Sequence, residues 1–292
     1  MYYNSSVIAF LLSLVLASHA AAPAPPPVLV RAYAHNDYEH KRPLFDALDH
    51  GFFGVEADVH LRGRELFVAH TGSGIKKDRT LRSLYLDPLL KLVRQNGGRV
   101  YPGGPKGFLL MIEFKSNGED SYPVLKEMLE PYKEMLSVYY ADHVDEGAVT
   151  ISITGHRPND LLKVENKRWA GIDGDLGDLG KDDKTLFPTI SENFYSRFQW
   201  HGGPMDSSDR KRLKRYADEA HAKGRKLRFY GIPAKEALWA ELYVAGVDLI
   251  NTDDLDKLRN FLLKKVAARR LRPSTVARLS EQISSLPADL FQ

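Results

Sequence analysis

The stretch "GVEADVH", residues 54–60, puts Val55, Ala57 and Val59 on one side of an extended segment and Glu56 and Asp58 on the other. The apolar side suits a core. The acidic side does not, because a buried ionised carboxylate is costly unless a counter-charge meets it. Two acids two residues apart on a core strand therefore demand a positive partner, and a fold that brings one to them.

The chain on either side of this strand alternates. "LVRAYAH" (29–35) is extended, and "PLFDALDHG" (43–51) is helical, with proline near its start and glycine as its stop. Residues 65–70 are a short extended piece. "RTLRSLYLDPLLKLVRQNGG" (79–98) has helical spacing of Leu84, Leu89, Leu92 and Val93, with Pro88 expected to kink or split it. Strands are predicted at 107–116, 148–155, 169–173, 189–195, 225–232 and 247–252. Helices are predicted at 122–136, 157–166, 206–224, 234–246 and 254–267. About eight strands alternating with helices imply a parallel sheet. A doubly wound sheet normally carries a glycine-rich turn after its first strand. Here that strand runs into "HNDY" (35–38), so the expected fold is α/β, a (β/α)8 TIM barrel, over residues 29–266.

The 292 residues carry a net charge of +3 with scattered basic residues, which implies no nucleic-acid partner. The absence of cysteine excludes thiol nucleophiles, zinc–thiolate sites and iron–sulfur clusters. Residues 7–17, "VIAFLLSLVLA", are too short an apolar run to span a bilayer comfortably, and small residues follow at Ser18 and Ala20. We read residues 1–20 as a signal peptide of a secreted or periplasmic protein, with an uncleaved anchor as the alternative, and 21–28 as a Pro/Ala-rich linker. Residues 267–292 are a C-terminal extension. The basic run "KKVAARRLR" (264–272) is either a solvated helix end or a peripheral contact with anionic membrane. No protein partner is implied.

In a barrel strand alternate residues face the interior, so Glu56 and Asp58 point inward together, near the C-terminal end where barrel active sites form. In "LLMIEFKS" (109–116), Glu113 and Lys115 share one side. A third carboxylate thus reaches the same rim. Three converging carboxylates repel one another unless a cation binds, and all-oxygen ligands suit Mg²⁺ or Ca²⁺. His35 ends the first strand and His70 follows the acidic strand; they are the candidate general acid and base. Lys115 offers a fixed charge to an anionic substrate, and Asn36 a hydrogen bond to a substrate oxygen. Taken singly, Lys115 merely neutralises Glu113 and an isolated ExD is commonplace. Together, a metal, a lysine and two histidines suit phosphodiester cleavage. Tyr230 and Asn251, which close the seventh and eighth strands, are further candidate contacts for the substrate, a phosphodiester small molecule or phospholipid.

The order His35, Glu56/Asp58, His70, Glu113/Lys115 resembles the phospholipase C-like phosphodiesterase superfamily, which includes glycerophosphodiester phosphodiesterases and sphingomyelinases D. "AHNDYEHKRPLFDALDHGFFGVEADVHLRGRELFVAH" and "RTLRSLYLDPL" are most similar to the altered-inheritance-of-mitochondria protein 6 group, and "GVDLINTDD" resembles the usual last-strand segment. The resemblance implies a (β/α)8 barrel, a divalent metal on Glu56, Asp58 and Glu113, and acid–base catalysis by His35 and His70. Asn36 stands where glycerophosphodiesterases usually carry arginine, which leaves the head group open. The activity implied is that of a secreted metal-dependent phosphoric diester hydrolase. A lyase forming a cyclic phosphate and a non-catalytic secreted binding protein on the same barrel are the alternatives.

Overall fold

Eight strands run parallel: β1 (Leu29–Ala34), β2 (Phe52–Arg62), β3 (Phe108–Phe114), β4 (Val149–Gly155), β5 (Gly171–Gly174), β6 (Thr189–Asn193), β7 (Lys226–Tyr230) and β8 (Ile250–Thr252). They occur in a computed structural model that describes residues 26–183 and 185–270. The order across the sheet is β7-β6-β5-β4-β3-β2-β1-β8. A parallel bridge between Arg228 and Leu249 joins the two ends, with the Asp248 and Leu249 amides donating to the Leu227 carbonyl at 3.1 Å each. The result is a nearly closed α/β barrel, as the alternation of elements predicts.

Helices α1 (Phe45–Asp49), α2 (Asp87–Gln95), α3 (Gly118–Leu129), α4 (Asn159–Lys163), α5 (Phe194–Arg197), α6 (Ser207–Ala222), α7 (Glu236–Ala245) and α8 (Leu255–Arg270) fill the connections. Their ends follow local chemistry. The Asp206 carboxylate accepts from the Asp209 amide at the start of α6, and Gly246, at φ 98°, closes α7. Pro88 divides its apolar run as expected: a wide turn over Arg82–Leu86 precedes α2, which takes the proline in its first turn, where no amide donor is missed. Between β5 and β6 the described residues form a single tight turn, Leu176–Asp178.

The two faces of each strand separate the core from the site. Val55, Ala57 and Val59 of β2 and Leu110, Ile112 and Phe114 of β3 pack outward, in the main apolar cluster under the helices. Tyr33, Leu109, Met111 and Leu249 form a small cluster of their own that plugs the barrel. Gly54 makes room for it, since a Cβ there would stand 2.9 Å from the Tyr33 ring. β2 runs on past the barrel into a hairpin, pairing antiparallel with Glu65–Val68 around Gly63 at φ 60°.

A small antiparallel sheet of Val138–Tyr140, Val144–Asp145 and Lys167–Arg168 was not expected from the sequence. The expected signal peptide (1–20), most of the linker and nearly all of the C-terminal extension lie outside the described residues. Among the described residues no helix is long and apolar enough to cross a membrane.

Candidate metal centre and catalytic cleft

Parallel pairing of β2 with β3 sets Asp58 beside Glu113, and the two-residue period keeps Glu56 on the same face. One carboxylate oxygen from each of Glu56, Asp58 and Glu113 lies within 4.8 Å of the others. Glu56 and Asp58 are almost fully buried, at 2% and 1% exposure. At those values each ionised oxygen needs a donor or a cation.

Most of the partners are present. Glu56 Oε2 accepts from the Tyr33 hydroxyl at 2.7 Å and from Arg228 Nη2 at 2.9 Å. Asp58 Oδ2 accepts from the Tyr38 hydroxyl at 2.6 Å and faces Lys115 Nζ at 3.0 Å. Lys115 also donates to Glu113 Oε1 at 2.6 Å. Three carboxylates thus face two permanent cations. Burial raises the pKa of Glu113, and the charges of Asp58 and Glu56 add to the rise, outweighing the pull of Lys115. Asp58 Oδ1, shielded from solvent, has no hydrogen-bond partner among the described residues. An orphaned carboxylate oxygen, an excess of negative charge and an all-oxygen donor set fit a hard divalent cation held by these three residues.

Both histidines reach this rim. His35 Nε2 is 3.8 Å from Glu56 Oε1, while its Nδ1 is held by Asp253 Oδ1 at 2.7 Å. Burial lowers the His35 pKa, but the bond to Asp253 and the charge of Glu56 more than reverse this, so the net shift is upward. His70 follows the hairpin. The Ala69 amide bonds the Asp58 carbonyl at 3.1 Å, which brings His70 Nδ1 to 3.1 Å from Asp58 Oδ2 and from the Tyr38 oxygen. Asn36, left-handed at φ 49°, turns the chain after β1 and sets its Nδ2 3.0 Å from His35 Nδ1.

A cleft of about 840 Å³ opens from His35, Glu56 and Glu113 toward Tyr230, Asp175 and Glu192. Tyr230 lines it. Asn251 does not: it is buried, paired in register with Tyr33, and its Oδ1 has no partner among the described residues. The glycine- and aspartate-rich loop after β5 is pinned rather than free. Arg225 donates to the carbonyls of Asp178, Lys181 and Asp183 at 2.7, 2.8 and 2.7 Å.

Four residues of the centre escaped the reading of the sequence: Tyr33, Tyr38, Arg228 and Asp253. Arg228 had a visible signal, an arginine in the middle of the apolar run of β7. Its guanidinium lies 4.7 Å from the Tyr33 ring centre and 5.8 Å from that of Tyr230.

A family model described as the AIM6-like phosphodiesterase domain matches residues 27–172, which include both histidines, all three carboxylates and Lys115. Altered inheritance of mitochondria protein 6 of Saccharomyces cerevisiae is 30% identical over 270 residues, covering 76% of this chain and 68% of that protein. The protein of the same name from Eremothecium gossypii is 29% identical over 272 residues, covering 80% and 70%. The homologue from Arthroderma benhamiae is 25% identical, covering 80% and 84%. Among solved structures, a glycerophosphodiester phosphodiesterase from Parabacteroides distasonis superposes with a TM-score of 0.51 at 15% identity, over 81% of this chain and 98% of that one. At that identity the likeness is one of fold.

Proposed function

The chain belongs to the AIM6-like phosphodiesterase family, and from that premise we propose that it is a divalent-cation-dependent phosphoric diester hydrolase working by His/His acid–base catalysis. One observation carries the reading: three carboxylates from adjacent strands meet at one rim, with an imidazole on either side and Lys115 between them.

A Mg²⁺ or Ca²⁺ held by Glu56, Asp58 and Glu113 would supply charge to the non-bridging phosphoryl oxygens. Lys115, 3.0 Å from Asp58, presents a second positive charge to the same anion. His35 exposes Nε2 to the centre, because Asp253 occupies Nδ1. It is therefore oriented to exchange a proton with one ester oxygen or with the attacking hydroxyl. His70, anchored through Nδ1 by Asp58 and Tyr38, presents its other nitrogen for the opposite proton transfer. Asn36 offers an amide donor beside His35, a neutral group for a substrate oxygen.

The test is a panel of phosphodiesters assayed with Mg²⁺, with Ca²⁺ and with a chelator, in wild-type protein and in Glu56→Ala. Turnover that needs the cation and vanishes in Glu56→Ala supports the reading. Full turnover by thoroughly demetallated protein overturns it. We propose with it that residues 1–20 direct export, which N-terminal sequencing of the mature protein checks.

A further inference from the structure

We propose that the recess beside His70 is a subsite for a second phosphate group, carried on one arm of the diester; this rests on the phosphodiesterase reading of the adjoining centre. A phosphodiester has two arms, and two hollows flank the carboxylate cluster. The cleft touches Glu56 and Glu113. The recess, of about 380 Å³, touches Tyr38 and His70, both of which contact Asp58. The two hollows have no lining residue in common, so they separate what lies on either side of the reacting phosphorus.

Their charges differ. In the cleft the arginines are already engaged. Arg197 binds Glu192 at 2.8 Å, and Arg157 donates to the Asp173 carbonyl at 2.8 Å with Asp175 at 3.6 Å. The recess is lined by His40, His70, Lys76 and Arg79 against the single carboxylate of Glu39. Lys76 is exposed and its ammonium makes no hydrogen bond or ion pair among the described residues. Arg79 is fixed by a bond to the Tyr38 carbonyl, which turns a flexible side chain into a placed one. His40 Nε2, shielded from solvent, has no hydrogen-bond partner among the described residues. Fixed positive charge thus exceeds negative charge before either imidazole takes a proton. A phosphate monoester, doubly charged near neutral pH and rich in acceptors, matches that set of donors. A neutral polyol would leave the charge uncompensated.

The experiment compares methyl p-nitrophenyl phosphate with a matched p-nitrophenyl diester whose second arm is a phosphorylated ethyl chain. The ratio of their kcat/KM values measures the subsite. Wild type is expected to prefer the phosphorylated arm. Lys76→Glu should cut that preference about tenfold, and Lys76→Arg should restore most of it. A preference that is absent in wild type, or unchanged in Lys76→Glu, overturns the proposal while leaving the hydrolase standing. A second measurement titrates inorganic phosphate into chelated protein, where the bare carboxylates repel an anion at the centre. Uptake that Lys76→Glu abolishes supports the recess even if neither diester is turned over, in which case the hydrolase reading is what fails. Salt-sensitive co-sedimentation with phosphatidylglycerol vesicles, lost in Lys76→Glu and unaccompanied by any preference between the diesters, would assign the recess to a lipid head group and overturn the substrate-arm reading.

Discussion

Arg228 Nη2 lies 2.9 Å from Glu56 Oε2, with the two side chains 5% and 3% exposed. The pair joins β7 to β2 across the interior of the barrel, and Tyr33 adds a second donor to the same oxygen. Glu56 Oε1 is thereby left facing His35. The arginine does two things at once: it neutralises a buried acid, and it fixes which oxygen that acid offers to a cation.

Arg228→Met keeps the apolar bulk and removes the charge. We expect a loss of about 3–5 kcal/mol in chelator, the usual cost of stranding one member of a buried ion pair. Added cation should recover part of it. Glu56→Gln in the same background should recover stability without restoring metal uptake, a non-additivity that a double-mutant cycle in urea detects. Additive losses would show that the two residues act independently.

A cation held by the three carboxylates should stabilise the fold, because they are assembled only in the folded chain. At a hundredfold excess over its Kd it contributes about 2.7 kcal/mol, visible as a higher Tm with Mg²⁺ or Ca²⁺ than with chelator. Glu113→Gln should be at least as stable as wild type in chelator, because it removes one charge from a repelling trio and still accepts from Lys115. It should gain less from the cation. A variant whose melting responds to metal as wild type does would remove Glu113 from the ligand set.

The acidic strands were legible because alternation alone decides which side of a strand faces inward, and Glu56, Asp58, Glu113 and Lys115 share that side. Their neighbours were not. Arg228 meets Glu56 across 172 positions of sequence, and that meeting depends on how the barrel closes, which no local period encodes. Tyr38 reaches Asp58 only because Asn36 turns left-handed after β1. Asn251 has the inward parity expected of it but sits one layer below the rim, beside Tyr33, where periodicity gives direction and no depth. The strands Val144–Asp145 and Lys167–Arg168 are two residues each, too short to show alternation.

With His35 as the proposed acid–base group, its contact with Asp253 should set one limb of the pH–rate profile. His35 is half-buried, which lowers its pKa, yet the hydrogen bond it donates to Asp253 and the charge of Glu56 bring the net shift above the ordinary value. Removing Asp253 takes away the support for the protonated ring. In Asp253→Ala the limb governed by His35 should therefore move to lower pH, while His35→Ala should lose about 10²–10⁴ in kcat with cation binding retained. A limb that stays in place in Asp253→Ala would separate that carboxylate from the titration.

Asp37 gives a pH dependence of stability that does not involve the metal ligands. It is wholly buried under the turn into α1. Its Oδ2 accepts from the Leu44 amide at 2.6 Å and the Tyr85 hydroxyl at 2.9 Å, and its Oδ1 has no partner among the described residues. The bond to Leu44 holds a residue with φ 66°, an unfavourable conformation for leucine. Burial, only partly offset by the two donors, pushes the carboxyl up to about 7. In the unfolded chain it ionises near its ordinary value of about 3.9. Between those pH values the folded protein keeps a proton that the unfolded chain has released, so this group's contribution falls as pH rises from about 4 to about 7. Below that window the contribution is fully present. Asp37→Asn retains the acceptor oxygen for Leu44 and Tyr85 and cannot ionise. Urea midpoints measured from pH 4 to 8 should therefore fall more steeply in wild type than in the variant, and the two curves should become parallel above the window. Curves parallel throughout would mean that Asp37 is ionised in the folded protein and that some other group compensates its charge.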